Sequence, residues 1–107
     1  EGQSGKYDHV PAAVLSGTVL EKSLRKICSE QTLPISTLDG KGSFLTLNPL
    51  IDLLKKARIF NELKAKQLRA WADIRNKAAH GDFDHFTRSD VEGMIKGIED
   101  FLATYMV

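Results

Sequence analysis

Apolar residues recur along this chain at helical rather than strand spacing. Val10, Val14, Gly17, Leu20 or Glu21, Leu24 and Ile27 repeat every three or four residues, which marks one face of an amphipathic helix. Asp8-His9-Val10-Pro11 reads as its start, because proline lacks an N–H that a first turn would leave unpaired anyway. The pattern runs to about Gln31. Leu15 and Val19 fall off the stripe, either widening the core face or facing a second subunit. Residues 32–47 hold Pro34, Gly40, Gly42 and several Ser and Thr, and read as a long loop. A helix restarts at Asn48-Pro49, with Asn48 as N-cap and Pro49 in the first position. Leu50, Ile51, Leu53, Leu54 and Ala57 make it apolar on a broad face.

Ile59-Phe60 is expected to form a buried corner and Asn61 to cap the next helix, from about Glu62 to Ala79. Leu63, Leu68, Trp71, Ile74 and Ala78 supply its predicted stripe. Gly81 stands where a left-handed C-terminal residue belongs. Asp82 to Phe86 form a turn whose Phe83 and Phe86 fold back on the bundle. Thr87-Arg88-Ser89-Asp90-Val91-Glu92 contains overlapping capping-box patterns. A last helix places Val91, Met94, Ile95, Ile98, Phe101, Leu102 and Tyr105 on one face. Gly93 and Gly97 share another, either admitting close backbone approach or simply tolerated at the surface. With no strand pattern and no internal repeat, the expected fold is all-α, an antiparallel four-helix bundle.

A length of 107 residues, 42% of them hydrophobic, suits one small domain over residues 8–107, open to being a piece of a longer protein. Residues 1–7 read as a disordered tail or expression remnant. No apolar run is long enough for a membrane span, and no secretory signal pattern is visible. Cys28 is the single cysteine, which suits a reducing, cytoplasmic setting. The net charge of +1 hides an asymmetry. Residues 55–80 carry eight Lys and Arg against two Asp and Glu, whereas residues 81–107 carry two against six. The basic stretch is either a solvated face paired with an acidic neighbour or a phosphate-attracting surface. On the second reading Lys66, Arg69 and Lys77 are the phosphate contacts.

Arg75-Asn76-Lys77-Ala78-Ala79-His80-Gly81 places an arginine, an amide and a histidine where a long helix stops. Arginine offers a permanently charged fork suited to phosphate, and histidine titrates near neutrality and can move a proton. Together they are the minimum equipment for cleaving RNA without a metal. His80 would take the ribose 2′-OH proton or return one to the leaving oxygen. Arg75 would stabilise charge building at phosphorus, with Asn76 supporting. One histidine is thin equipment for two proton transfers, so a symmetric homodimer with a composite site is expected. The structural alternative is a histidine favoured by the helix dipole and an Arg75 that only pairs with Asp73 or an acid of the last helix.

The run Arg75-Asn76-Lys77-Ala78-Ala79-His80 resembles the signature of HEPN domains: an arginine, usually a polar residue next, and a histidine after a spacing of four to six. The late position, at the end of a long helix and before the final one, fits that family. Ala13 to Cys28, with Leu20-Glu21-Lys22-Ser23-Leu24-Arg25, also looks like the first helix of several bacterial members. The resemblance covers roughly residues 10–106. It implies a small HEPN-like helical bundle and a metal-independent endoribonuclease, typically dimeric, of toxin–antitoxin, phage-defence or RNA-processing systems. A partner antitoxin or fused domain belongs to the same expectation. By position Arg75 and His80 would be catalytic and Asn76 supporting, with Glu21 and Asp73 as possible helpers. Some HEPN-like domains instead bind nucleotides or RNA, or only dimerise, without catalysis. A third reading is a plain helical domain whose basic face meets an acidic protein.

Other candidates carry less. Gly40-Lys41-Gly42-Ser43 lacks P-loop spacing and follows no strand, so a flexible turn is the better reading. The three histidines and Cys28 lack metal-ligand spacing, and no metal or cofactor is expected. His85 reads as a surface histidine, His9 as a local cap or tail residue, Cys28 as a small core group and Trp71 as core packing.

Overall fold

The computed structural model describes residues 8–106, and every regular element in it is helical. Helix α1 spans His9–Ser29, α2 Leu47–Lys56, α3 Glu62–Ala79 and α4 Arg88–Tyr105, with a 3-10 turn at Phe83–His85. Extended pairing among the described residues is limited to an isolated antiparallel bridge between Leu38 and Phe44. The tail expected over residues 1–7 lies outside the described residues. The helices pack as one bundle in which α1 touches the other three. No helix among the described residues is long and apolar enough to cross a membrane.

Local chemistry sets most helix ends. The Asn61 side chain accepts the Lys64 N–H at 2.9 Å and starts α3. Thr87 and Asp90 close a reciprocal capping box on α4 at 3.1 and 2.9 Å. Helix α3 stops in a Schellman motif: Gly81 adopts φ +79°, Asp82 N–H donates to the Lys77 carbonyl at 2.8 Å, and Gly81 N–H reaches that of Ala78. Helix α2 ends the same way, with Arg58 at φ +63° in the glycine position, Ile59 N–H on the Leu54 carbonyl and Arg58 N–H on that of Lys55. At α1, Gln31 Nε2 and the Ile35 N–H satisfy the carbonyls of Ile27 and Cys28, so the helix stops at Ser29, short of Gln31.

Two helix-start expectations need correction. The cap of α2 is Thr46 rather than Asn48, and Pro49 stands third rather than first. A first turn tolerates proline at either place, and the earlier start carries Leu47 into the core. His9 is neither cap nor tail: it is the first residue of α1, with its ring edge-on to Phe86 at 5.5 Å between centroids.

The main core joins Leu20, Leu24, Ile27 and Cys28 to Leu50, Ile51 and Leu54 of α2, Leu68 and Trp71 of α3, and Met94, Ile98 and Phe101 of α4. Phe60 fills the corner before α3, edge-on to Phe101 and Tyr105. A smaller cluster gathers Ala13, Ala78, Phe86 and Val91. Leu63 departs from its predicted role and is 76% exposed. It stands about 200° round the helix from buried Ala65, at about 100° per residue, and the small side chains of Ala65 and Ala72 line the inner face instead. Leu15 and Val19 are exposed, so they do not widen the core.

The glycines of α4 differ. A Cβ on Gly97 would lie 2.1 Å from the Trp71 ring, whereas one on Gly93 would meet nothing within 4 Å. Gly93→Ala should therefore raise unfolding free energy by about 0.5–1 kcal/mol through helix propensity. Gly97→Ala should lower it by about 1–3 kcal/mol through overpacking; urea denaturation of both variants checks the opposite signs. Arg58→Gly should add up to about 1 kcal/mol by releasing a left-handed non-glycine residue, measured the same way.

Candidate active site

Arg75 sits on the face of α3 that crosses α1. Its stem lies in the notch at Gly17, where an added Cβ would come within 2.1 Å of Arg75 Cγ and 2.8 Å of its Cβ. That crossing falls between Ala13 of the smaller cluster and Leu20 of the larger. Beyond the notch, Arg75 Nη2 donates to Glu21 Oε1 at 3.2 Å. The other oxygen of Glu21 accepts from Arg25 Nη2 at 2.5 Å. All three side chains are largely shielded, at 16–23% exposure. One carboxylate thus serves two guanidinium groups and leaves the trio with a net positive charge. The Nε–H groups of Arg25 and Arg75 are buried without an acceptor, and such groups favour an anionic neighbour.

Arg75, Asn76, Ala79 and His80 line one cleft of about 260 Å³, together with Thr46, Leu47 and Asn48. The C-terminal end of α3 forms one wall and the first turn of α2 the other. The Thr46 side chain makes no capping bond, and the positive end of the α2 dipole lies at this side of the cleft. His80 is the C-cap of α3 and is exposed. Its backbone N–H donates to the Asn76 carbonyl at 3.0 Å, which fixes the base of the imidazole and leaves the ring outside the packed core. The cleft thus gathers Arg75, Asn76 and His80 around one small space.

The remaining candidates are placed elsewhere. Lys77 pairs with Asp73 at 2.9 Å along the exposed side of α3, and that bond raises the lysine pKa. Arg69 is held by Asp52 at 2.8 Å and Glu62 at 3.2 Å. Glu62 is also bonded by Lys55, the main reason its carboxyl sits below its ordinary value. Lys66 borders a different groove, with Asn61, Leu63, Lys64, Gln67 and Tyr105. None of Lys66, Arg69, Lys77 and Asp73 lines the cleft. Glu21 joins it only through Arg75. His85 is bonded to Asp82 on the 3-10 turn. Trp71 is buried against Gly97 in the core position expected for it. In the loop, Asp39 Oδ1 accepts the N–H groups of Lys41 and Ser43 at 2.8 and 3.0 Å, so those amides close a turn on their own side chain. Among the described residues, no three His, Cys, Asp or Glu side chains gather as a group that could hold a metal ion.

Two contributors escape a sequence reading. Thr46, Leu47 and Asn48 arrive from another helix, and their only local signal is the cap pattern around Asn48-Pro49. Arg25 is announced by its four-residue spacing from Glu21, which fits a helical ion pair, but not by any tie to Arg75. Comparison with protein families, curated proteins and solved structures finds no match.

Gly17→Ala should cost about 1–3 kcal/mol of stability, since overpacking against Arg75 exceeds the gain of up to about 1 kcal/mol in helix propensity. Adding Arg75→Ala should recover part of that loss by removing the Cγ contact; a double-mutant cycle by urea denaturation reads the coupling.

Proposed function

We propose that this chain is a HEPN-type, metal-independent endoribonuclease acting on single-stranded or looped RNA, whose backbone is flexible enough to align for attack. The observation that carries this reading is the cleft itself: Arg75, Asn76 and His80 line one small cavity against the first turn of α2. The arrangement of a helix ending in the motif, a short turn and a final helix agrees with the layout that the resemblance implies.

In the proposed reaction a base removes the ribose 2′-OH proton, and the 2′ oxygen attacks the adjacent phosphorus. The bond from phosphorus to the 5′ oxygen breaks, and that oxygen takes up a proton. The products are a 2′,3′-cyclic phosphate and a free 5′-OH. Arg75 stabilises the charge growing on the phosphoryl oxygens, Asn76 orients the phosphate, and His80 performs one proton transfer. A second copy across a twofold axis supplies the other histidine, which makes the working unit a homodimer with a composite site. RNA processing, phage defence or a toxin–antitoxin pair are the settings such an activity serves.

A second reading, a non-catalytic HEPN-like module that binds a nucleotide or RNA, is favoured by one observation. The Arg75 guanidinium is already engaged by Glu21 through Nη2, a contact that holds the side chain in place and offsets part of the charge that catalysis would use.

His80 is the cleaner probe, because it is exposed and its loss leaves the core untouched. Incubation of the purified chain with single-stranded RNA in EDTA should yield cyclic-phosphate ends. His80→Ala should slow that cleavage by at least about a hundredfold, the usual size of general acid–base catalysis, with an unchanged unfolding midpoint. Equal background from wild type and His80→Ala overturns catalysis, and RNA binding without cleavage supports the second reading.

A further inference from the structure

Arg25 has no place in the motif, yet it makes more kinds of contact than any residue of the cleft wall. From α1, its Nη2 donates both to Glu21 Oε2 at 2.5 Å and to the backbone carbonyl of Leu45 at 3.0 Å. Its guanidinium carbon lies 5.0 Å from the centroid of the Phe44 ring, in cation–π range. Leu45 and Phe44 end the connection between α1 and α2. The next three residues, Thr46, Leu47 and Asn48, line the cleft opposite Arg75. On its other side Arg25 shares Glu21 with Arg75. Both walls of the cleft are therefore tied to one guanidinium.

We propose that Arg25 is a positioning residue of this site: it clamps the end of the 30–46 connection to α1 and, through Glu21, fixes the guanidinium of Arg75 across the cleft. The connection is anchored by half-buried Ile35 and Leu45, and its tip is largely exposed. Phe44 is 64% exposed and Leu38 48%, and the backbone pairing that holds the two arms reduces to Asp39 with Ser43, Leu45 with Thr37, and the Leu38–Phe44 bridge. Burial of Leu47 and of half-buried Leu45 seats the α2 first turn on the core, and Arg25 adds the polar tie that links it to Glu21 and Arg75. Glu21 is the shared element, since a carboxylate with two oxygens can hold two guanidinium groups at a fixed separation, and each keeps the other from taking the whole charge. The effect on turnover rests on the ribonuclease reading, whereas the clamp itself rests on the contacts alone.

Two readouts test it in the full chain. Amide hydrogen exchange follows Leu45 N–H, bonded to the Thr37 carbonyl, and Leu50 N–H, bonded to that of Thr46. In Arg25→Ala both should exchange at least about tenfold faster, the scale of one lost charge-assisted hydrogen bond, while amides of α4 keep wild-type rates. Arg25→Lys, which keeps a donor and a charge, should restore part of the protection. Unchanged exchange at Leu45 and Leu50 in Arg25→Ala overturns the clamp, as does equal acceleration throughout α4, which would mark a general loss of stability. The second readout is RNA cleavage in EDTA. Arg25→Ala should lower kcat about ten- to hundredfold, the scale of a displaced stabilising group, with KM changed less than about twofold. In an Arg75→Ala background, the same substitution should lower kcat by a smaller factor than it does alone, since only the loop-side tie is then left to lose. A full additional loss there, or wild-type kcat in the single variant, overturns the positioning role while leaving the nuclease reading intact. If wild type cleaves no RNA, the nuclease reading falls, and the exchange data still decide the clamp.

Discussion

The spacing between α1 and α3 is set by a side chain lying in the space where another has no Cβ. Gly17 is buried and Arg75 runs through its notch, so the two helices approach as closely as an arginine stem allows. The placement has two consequences. It seals the junction between the two apolar clusters with the methylene part of a charged residue, whose stem packs like a hydrophobe while its head reaches a polar partner. It also delivers the guanidinium to Glu21 on the same helix, one turn beyond the notch. Packing and electrostatics at this crossing are one arrangement, because the group that fills the gap is the group that carries the charge.

Charge along the chain looks different once the helices are folded. Eight basic residues against two acidic ones over 55–80 suggest an open electropositive face. Much of that charge is met locally: Arg69 by Asp52 and Glu62, Lys55 by Glu62, Lys77 by Asp73. Asp52 comes from α2, outside the counted stretch. Exposed pairs of this kind contribute little stability each, but they do reduce the field available to a distant polyanion. These pairs do not include Lys56, Arg58, Lys64 or Lys66, and Lys64 and Lys66 border one groove beside Asn61 and Tyr105, while the shielded trio of Glu21, Arg25 and Arg75 carries a further net positive charge.

Where helix ends depend on neighbours in sequence, they were legible. Asn61, Thr87 with Asp90, and Gly81 act through bonds spanning three to five residues, so the chain spells them out. Features that depend on the opposing helix were not. Leu63 has the right chemistry for a core and the wrong angle. Gly93 and Gly97 share a face, yet only Gly97 meets Trp71. The α2 cap moved from Asn48 to Thr46 because burial of Leu47 outweighed a better capping side chain. Arg75, Asn76 and His80 could be picked out by residue type and spacing. That Thr46 to Asn48 would face them, and that Arg25 would hold that wall, depends on how a loop returns across the bundle, which no local pattern encodes.

Cys28 sits fully buried at the end of α1, and burial pushes its thiol above the ordinary value. Thiolate, not thiol, is the reacting form, so in the folded chain this sulfur is both shielded and mostly protonated. Its neighbours in the main core come from α2, α3 and α4 as well as α1. A reagent that captures thiols can therefore reach it only when that common core opens, and the lone thiol times the opening of the core around it.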